Sequence, residues 1–247
     1  MSAMLGDMTE LEVRRGGTRG PAVLLLHGLG ATARVWDGLA DALGDRTWIA
    51  PDLPGHGRSA PLPEYTFAAV AEAVAPLVDP AGTVVLGHSF GGVVALYLAA
   101  RPGVRSVVGL GIKVAWTADE LARAAALAAR APAEFGTREE AVARHLRVAG
   151  LDGLVDPVDP ALDGAVTRTG AGWRTALDPK AFGVGDPQVA GLLTAASVPV
   201  VLARGEHDPM VTADQLAALV PNPVDLPGLG HNAHVEAPEA LLPLLEA

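Results

Sequence analysis

Thr83-Val84-Val85-Leu86-Gly87-His88-Ser89-Phe90-Gly91, running on through Gly92 into Val93-Val94-Ala95-Leu96-Tyr97-Leu98-Ala99-Ala100, decides how the rest of the chain is read. The run Thr83–Leu86 suits a buried strand, and the stretch from Val93 has the apolar spacing of a buried helix. Between them stands the pattern G-x-S-x-G, in the strand-to-helix setting that a nucleophile elbow demands. Such a turn thrusts a serine oxygen out at the strand end. Side chains two positions before and after would collide there, which accounts for Gly87 and Gly91. The turn also aims the N-terminus of the following helix at the serine, where free N–H groups favour developing negative charge. Chance alone gives about 0.07 such matches in a chain of this composition, so the flanking strand and helix complete the argument. Ser89 is the expected nucleophile; the plainer alternative is a Gly-rich turn.

Outward from this segment the same alternation recurs. Ala22–Leu26, Thr47–Ala50, Val107–Ile112 and Val198–Ala203 are short apolar runs without polar alternation, as expected of parallel strands covered on both faces. Val35–Leu43 and Phe67–Leu77, like Val93–Arg101, have helical spacing. Weaker strands at Leu11–Arg14 and Val224–Leu226 extend the sheet. Strands alternating with helices predict an α/β fold with a mostly parallel, doubly wound sheet. One stretch breaks the rhythm. Ala118–Ala131 and Thr137–Ala149 read as helices, and the Gly/Pro/Asp-rich run GLDGLVDPVDPALDG that follows has no strand pattern. A structureless insertion of that length is improbable in a compact sheet. The expectation is a helical cap at residues 115–193, inserted after the sixth strand, with residues 1–114 and 194–247 forming the core.

Composition narrows the classes. The chain has 247 residues, half of them hydrophobic and 19% charged, which excludes a wholly disordered protein. A net charge of −10, with no basic cluster beyond Arg14-Arg15, argues against a nucleic-acid partner. Cysteine is absent, which removes disulfides, a thiolate nucleophile and Cys-ligated metal sites. No HExxH or comparable ligand cluster appears, and neither metal nor cofactor is expected. The first twenty residues, with Asp7, Glu10, Glu12 and three arginines, lack the apolar core of a signal peptide. No apolar run approaches the ~20 residues of a membrane span. A cytoplasmic protein acting on a small molecule, with no membrane partner, is expected; the sequence leaves its oligomeric state open.

A serine hydroxyl needs a base, and seven histidines are available. His231 and His234 lie in the loop Gly228-Leu229-Gly230-His231-Asn232-Ala233-His234 after the last strand. His231, directly behind its glycines, is the expected base and His234 the alternative. His145 falls in a cap helix as a packing or surface residue, and His56 and His88 adjoin turn glycines, where a structural hydrogen bond is the default role. The acid that orients the base is expected at Asp208, in the turn Gly205-Glu206-His207-Asp208. Glu206 is the next candidate, and capping of the helix near Thr212–Val220 is the structural role open to Asp208. Parallel strands deliver their C-terminal loops to one edge, so Ser89, Asp208 and His231 can converge.

With these pieces the chain resembles the α/β-hydrolase family over nearly everything outside the cap. The likeness is carried by His27-Gly28-Leu29-Gly30, Asp52-Leu53-Pro54-Gly55-His56-Gly57-Arg58-Ser59, Gly87–Gly91, Gly205–Asp208 and Gly230-His231. The resemblance implies a serine hydrolase of esterase or lactonase type. It implies Ser89 as nucleophile, His231 as base, Asp208 as acid, and an oxyanion hole from the backbone N–H groups of Leu29 and Phe90. It implies a mainly structural role for the His56–Ser59 turn. At the cap entrance, Lys113 is expected either to grip an anionic part of the substrate or to pair with a cap carboxylate, the latter being the commoner fate of a strand-end lysine. Phe90, Trp116, Trp173, Phe182 and Met210 are candidates for an apolar pocket.

Two other readings compete. Gly28-Leu29-Gly30-Ala31-Thr32-Ala33 satisfies G-x-G-x-x-[GA], and Asp52 follows 24 residues after Gly28, as in a dinucleotide-binding oxidoreductase. That reading leaves the elbow, Asp208 and His231 as coincidences. A non-catalytic or very slow ligand receptor would share the same residues, and acyl transfer, perhydrolysis, C–C hydrolysis and lyase chemistry occur on the same scaffold.

Overall fold

A computed structural model describes residues 10–246. Asp7 and the other residues of 1–9, on which part of the leader argument rests, lie outside the described residues, as does Ala247.

The chain enters through β1 (Val13–Gly16), β2 (Arg19–Leu26), a 3-10 turn at Ala33–Trp36, α1 (Asp37–Leu43) and β3 (Arg46–Pro51). It continues through α2 (Phe67–Val74), β4 (Thr83–His88), α3 (Phe90–Leu98) and β5 (Val104–Leu110). An excursion follows, made of α4 (Ala118–Ala128), α5 (Arg138–Ala149), the two-stranded hairpin β6 (Val166–Arg168) and β7 (Trp173–Thr175), and α6 (Val189–Ala195). The chain returns through β8 (Val200–Gly205), α7 (Ala213–Ala217), β9 (Val224–Leu226) and α8 (Ala233–Glu236) to a 3-10 stretch at Pro238–Glu246.

Seven strands form one sheet in the order β1-β3-β2-β4-β5-β8-β9, antiparallel only at β1. Alternate side chains of each strand enter opposite cores, which is why the strands read as unbroken apolar runs. Leu24, Leu26, Val85 and Val107 pack against α2, α3 and α6. Val23, Leu25, Leu86, Val108 and Leu110 pack with Trp36, Leu39 and the C-terminal Leu241 and Leu244. Each fully buried leucine stabilises by roughly 1.5–3 kcal/mol relative to exposure. The expected mostly parallel, doubly wound sheet is observed. The register aligns the strand ends: Leu26 lies beside Gly87, Gly87 beside Gly109, Leu110 beside Ala203 and Gly205 beside Leu226. The loops bearing Leu29, Ser89, Gly111, Asp208 and His231 therefore leave from one rim.

The cap departs after the fifth strand, β5, which corrects the expectation of the sixth. Only one strand, β1, precedes β2 among the described residues, so the count runs one short. Its helices start where the sequence dictates: Thr117 with Glu120, and Thr137 with Glu140, form reciprocal capping boxes. The cap is less purely helical than expected, because it also holds the β6–β7 hairpin. A third apolar cluster, including Val142, Leu146, Leu151 and Leu162, ties the base of the cap to Ala31 beside the sheet. Helix α4 contributes no buried residue. We propose residues 115–193 as the cap, with α6 straddling the boundary, since its Val189 is buried in the same core as α3.

Candidate active site

Strand β4 ends in the turn that presents Ser89. Its φ of 49° and ψ of −112° lie in a region that non-glycine residues rarely occupy, at a cost of order 1–3 kcal/mol. The surroundings hold it there. Ser89 N–H donates to the Leu110 carbonyl at 2.8 Å, and the Ser89 carbonyl accepts from Gly92 and Val93. A Cβ on Gly87 would stand 2.1 Å from the Gly91 carbonyl oxygen, and one on Gly91 would stand 2.3 Å from that of Leu26. Both elbow glycines are required by contact with backbone, as the sequence argument supposed. Ser89 is half-buried and lies at the start of α3. Its hydroxyl makes no hydrogen bond among the described residues.

The Gly28–Gly30 loop is pressed against this turn, since a Cβ on Gly28 would lie 2.8 Å from His88 Nδ1. His27 fixes the loop: its Nδ1–H donates to the Gly28 carbonyl at 2.8 Å, and its Nε2 accepts from Leu53 N–H at 2.8 Å. That pattern requires a neutral ring, and burial lowers its pKa to about 4. Among the described residues neither the Leu29 nor the Phe90 N–H is engaged in a hydrogen bond.

Asp208 leaves β8 through a tight turn, its N–H bonded to the Gly205 carbonyl at 3.0 Å, and its side chain is fully buried. Arg204 braces that turn, donating to the Val211 and Glu206 carbonyls and to Asp225 Oδ1 at 2.7 Å. Both Asp208 oxygens lie 3.0 Å from His231 Nδ1, and Oδ1 also accepts from Met210 N–H at 2.8 Å. The carboxylate fixes the proton on Nδ1 and leaves Nε2 as the acceptor. Gly111, with φ of 62°, lies beneath the pair, where a Cβ would stand 3.0 Å from Asp208 Oδ2 and 3.2 Å from His231 Nδ1. Glu206 is exposed and accepts from Gly228 N–H at 2.8 Å, away from His231.

The remaining histidines are placed elsewhere. His234 is buried, its ring 4.6 Å from that of Trp36 and 4.3 Å from that of His88, and burial lowers its pKa to about 3. His88 Nε2–H donates to the His231 carbonyl at 2.9 Å, joining the elbow to the histidine loop; burial, with His234 and His231 nearby, holds its pKa well down. His145 is buried in α5 and His207 is exposed. The His56 turn is structural: His56 Nδ1–H donates to the Pro54 carbonyl, and Ser59 Oγ donates to the Asp52 carbonyl.

Ser89 and His231 open onto one cavity of about 350 Å³. Its walls are mostly apolar and include Phe67, Phe90, Val93, Leu121, Phe182 and Met210. Among the described residues no group of three or more His, Asp or Glu side chains is placed to hold a metal ion.

The alpha/beta hydrolase family profile matches residues 23–244. The chain belongs to the alpha/beta hydrolase family. It is similar to Lipase LipV of Mycobacterium tuberculosis, 48% identical over 98 residues, a stretch covering 38% of each protein. That match spans well under half of the curated relative. Among solved structures it superposes on a thioesterase domain from the curacin biosynthetic pathway with a TM-score of 0.80 at 20% identity, covering 99% of this chain and 98% of the other. It also superposes on E-2-(acetamidomethylene)succinate hydrolase with a TM-score of 0.77 at 26% identity, over 95% and 92% of the two chains.

Within this alpha/beta hydrolase scaffold the pocket candidates divide. Phe90, Trp116, Phe182, Met210 and Lys113 line the cavity. Trp173 does not: it sits in β7 of the cap hairpin, its backbone paired with that of Phe135. Lys113 Nζ lies 2.8 Å from Glu120 Oε1 and over the Trp116 ring, so it has found a cap carboxylate. Arg147, at the end of α5, also lines the cavity and was not anticipated, because one sequence does not show which way a cap helix turns. Asp52 accepts from Ala33 N–H at 2.7 Å and from Arg58 N–H at 2.9 Å and is buried, so its carboxylate is committed to the loop and unavailable to a ribose. Among the described residues no helix is long and apolar enough to cross a membrane.

Proposed function

We propose that the protein is a serine hydrolase that cleaves a small apolar carboxylic ester or lactone through an acyl-enzyme. The observation that carries this reading is the buried Asp208 carboxylate 3.0 Å from Nδ1 of His231, whose ring lines the same cavity as the strained Ser89. In this reading His231 Nε2 takes the Ser89 proton as the oxygen attacks the carbonyl carbon. The tetrahedral oxyanion rests on two amides, that of Leu29 in the loop after β2 and that of Phe90 at the start of α3. Losing one such donor typically costs ~2.7–4 kcal/mol of transition-state stabilisation. His231 then protonates the leaving alcohol and later activates a water that releases the acid. Asp208 holds the useful tautomer throughout. The apolar lining and a volume of about 350 Å³ suit a short to medium acyl chain.

Relatives named lipase, esterase and thioesterase support hydrolysis at an acyl carbon. The test is a panel of p-nitrophenyl esters of rising chain length, with lactones, on wild type and Ser89→Ala, together with fluorophosphonate labelling. Turnover and labelling lost together in Ser89→Ala are expected. Labelling without turnover of any ester would favour a receptor.

A further inference from the structure

The C-terminal turn of α5 touches both halves of the machinery. Arg147, Val148, Ala149 and Gly150 all line the cavity. On one side Val148 lies against the Leu29–Gly30 loop: a Cβ on Gly30 would stand 2.6 Å from Val148 Cγ1. On the other, Asn232 Nδ2–H donates to the Gly150 carbonyl at 2.8 Å. Asn232 is 4% exposed and directly follows His231. Its own carbonyl accepts from Val235 and Glu236, which locks it at the start of α8. Gly150 ends α5 with φ of 69°, leaving its carbonyl outside the helical ladder. Among the described residues this is the one side-chain hydrogen bond joining the histidine loop to the cap.

We propose that Asn232 is a positioning residue that holds the Arg147–Gly150 wall of the cavity and so sets the enzyme's selectivity for acyl chain length. The inference rests on the hydrolase reading above. A buried amide aimed at a helix-end carbonyl fixes the distance between that wall and the acyl carbon bound at Ser89. On this proposal a chain of eight carbons runs along that wall, which an acetyl group does not reach. Asn232→Asp keeps the size but removes the donor and turns a carboxylate oxygen toward the Gly150 carbonyl.

The experiment measures kcat and KM for p-nitrophenyl acetate and octanoate in wild type, Asn232→Asp and Val148→Ala. In Asn232→Asp the octanoate-to-acetate ratio of kcat/KM should fall at least tenfold, chiefly through KM for octanoate. Val148→Ala, which opens the same wall, should move the chain-length optimum to longer acyl groups; if Asn232→Asp does not fold, Asn232→Ser, which shortens the side chain away from the Gly150 carbonyl, should show the same fall in the ratio. An equal fall on both esters, or an unchanged ratio, overturns the proposal, because Asn232 would then act only through His231 or through stability. If wild type turns over neither ester, the hydrolase reading has failed separately. Octanoate protection against thermal unfolding then tests the wall: protection lost in Asn232→Asp supports it and equal protection overturns it.

Discussion

Gly205 and Gly230 meet backbone to backbone, and a Cβ on Gly205 would stand 2.1 Å from the Gly230 carbonyl oxygen. The contact clamps the Asp208 turn to the His231 loop. Gly205→Ala should force the two apart, lowering kcat at least 100-fold and stability by about 1–3 kcal/mol, as overpacking does. Gly191→Ala, in α6 with nothing within reach of the added carbon, should be neutral or stabilising by up to about 1 kcal/mol. Urea unfolding and ester turnover on both variants check the pair.

Asp208→Asn should leave the fold intact, because the amide oxygen still accepts from Met210 N–H. The amide also offers a donor to His231 Nδ1, which places the imidazole proton on Nε2 and removes the acceptor that Ser89 needs. A fall in kcat of about 10³–10⁴ is expected on a p-nitrophenyl ester. A loss under tenfold would assign the acid elsewhere.

Lys113→Met should leave the ratio of turnover on a hemisuccinate ester to that on a butyrate ester unchanged, since the lysine is occupied by Glu120. Because the pair is partly exposed and screened by solvent, its loss should leave thermal and urea unfolding nearly unchanged. A ratio that drops several-fold would restore Lys113 as an anion grip.

His27, His56, His88, His145 and His234 are buried, and burial lowers the pKa of each; His27 and His145 stand at about 4, His56 and His234 at about 3. The unfolded chain therefore binds more protons than the native one between about pH 6.5 and 4, so stability is full above pH 6.5 and lost as pH falls. Each such histidine contributes a slope of about 1.4 kcal/mol per pH unit across that window. Urea unfolding at pH 6.5, 5.5 and 4.5 should show this decline. His145→Gln should shallow it by about one proton, and an unchanged slope would show that His145 titrates alike in both states.

The legible parts were those whose geometry is local. Gly87 and Gly91 are needed by the turn around Ser89 itself, so a five-residue window revealed them. Asp208 and His231 lie far away in the chain, but parallel strands must end at one rim, which made their meeting foreseeable. The cap was legible only in outline. The Thr117 and Thr137 helices carried their own capping signals, whereas the hairpin strands Val166–Arg168 and Trp173–Thr175 are three residues each, too short for an alternation to show. Hence Trp173 was misplaced. Arg147 and Asn232 escaped notice because their roles depend on how α5 lies against the His231 loop, a tertiary contact across 82 positions of sequence. Gly111 follows a strand like many glycines, and only the approach of Asp208 and His231 gives its missing side chain a reason.

Helix α4 faces the cavity with Leu121, Ala124 and Ala125 yet contributes no fully buried side chain. Its composition can change at little cost to the sheet, so one side of the cavity can be relined from a single surface helix while Ser89, Asp208 and His231 stay where they are.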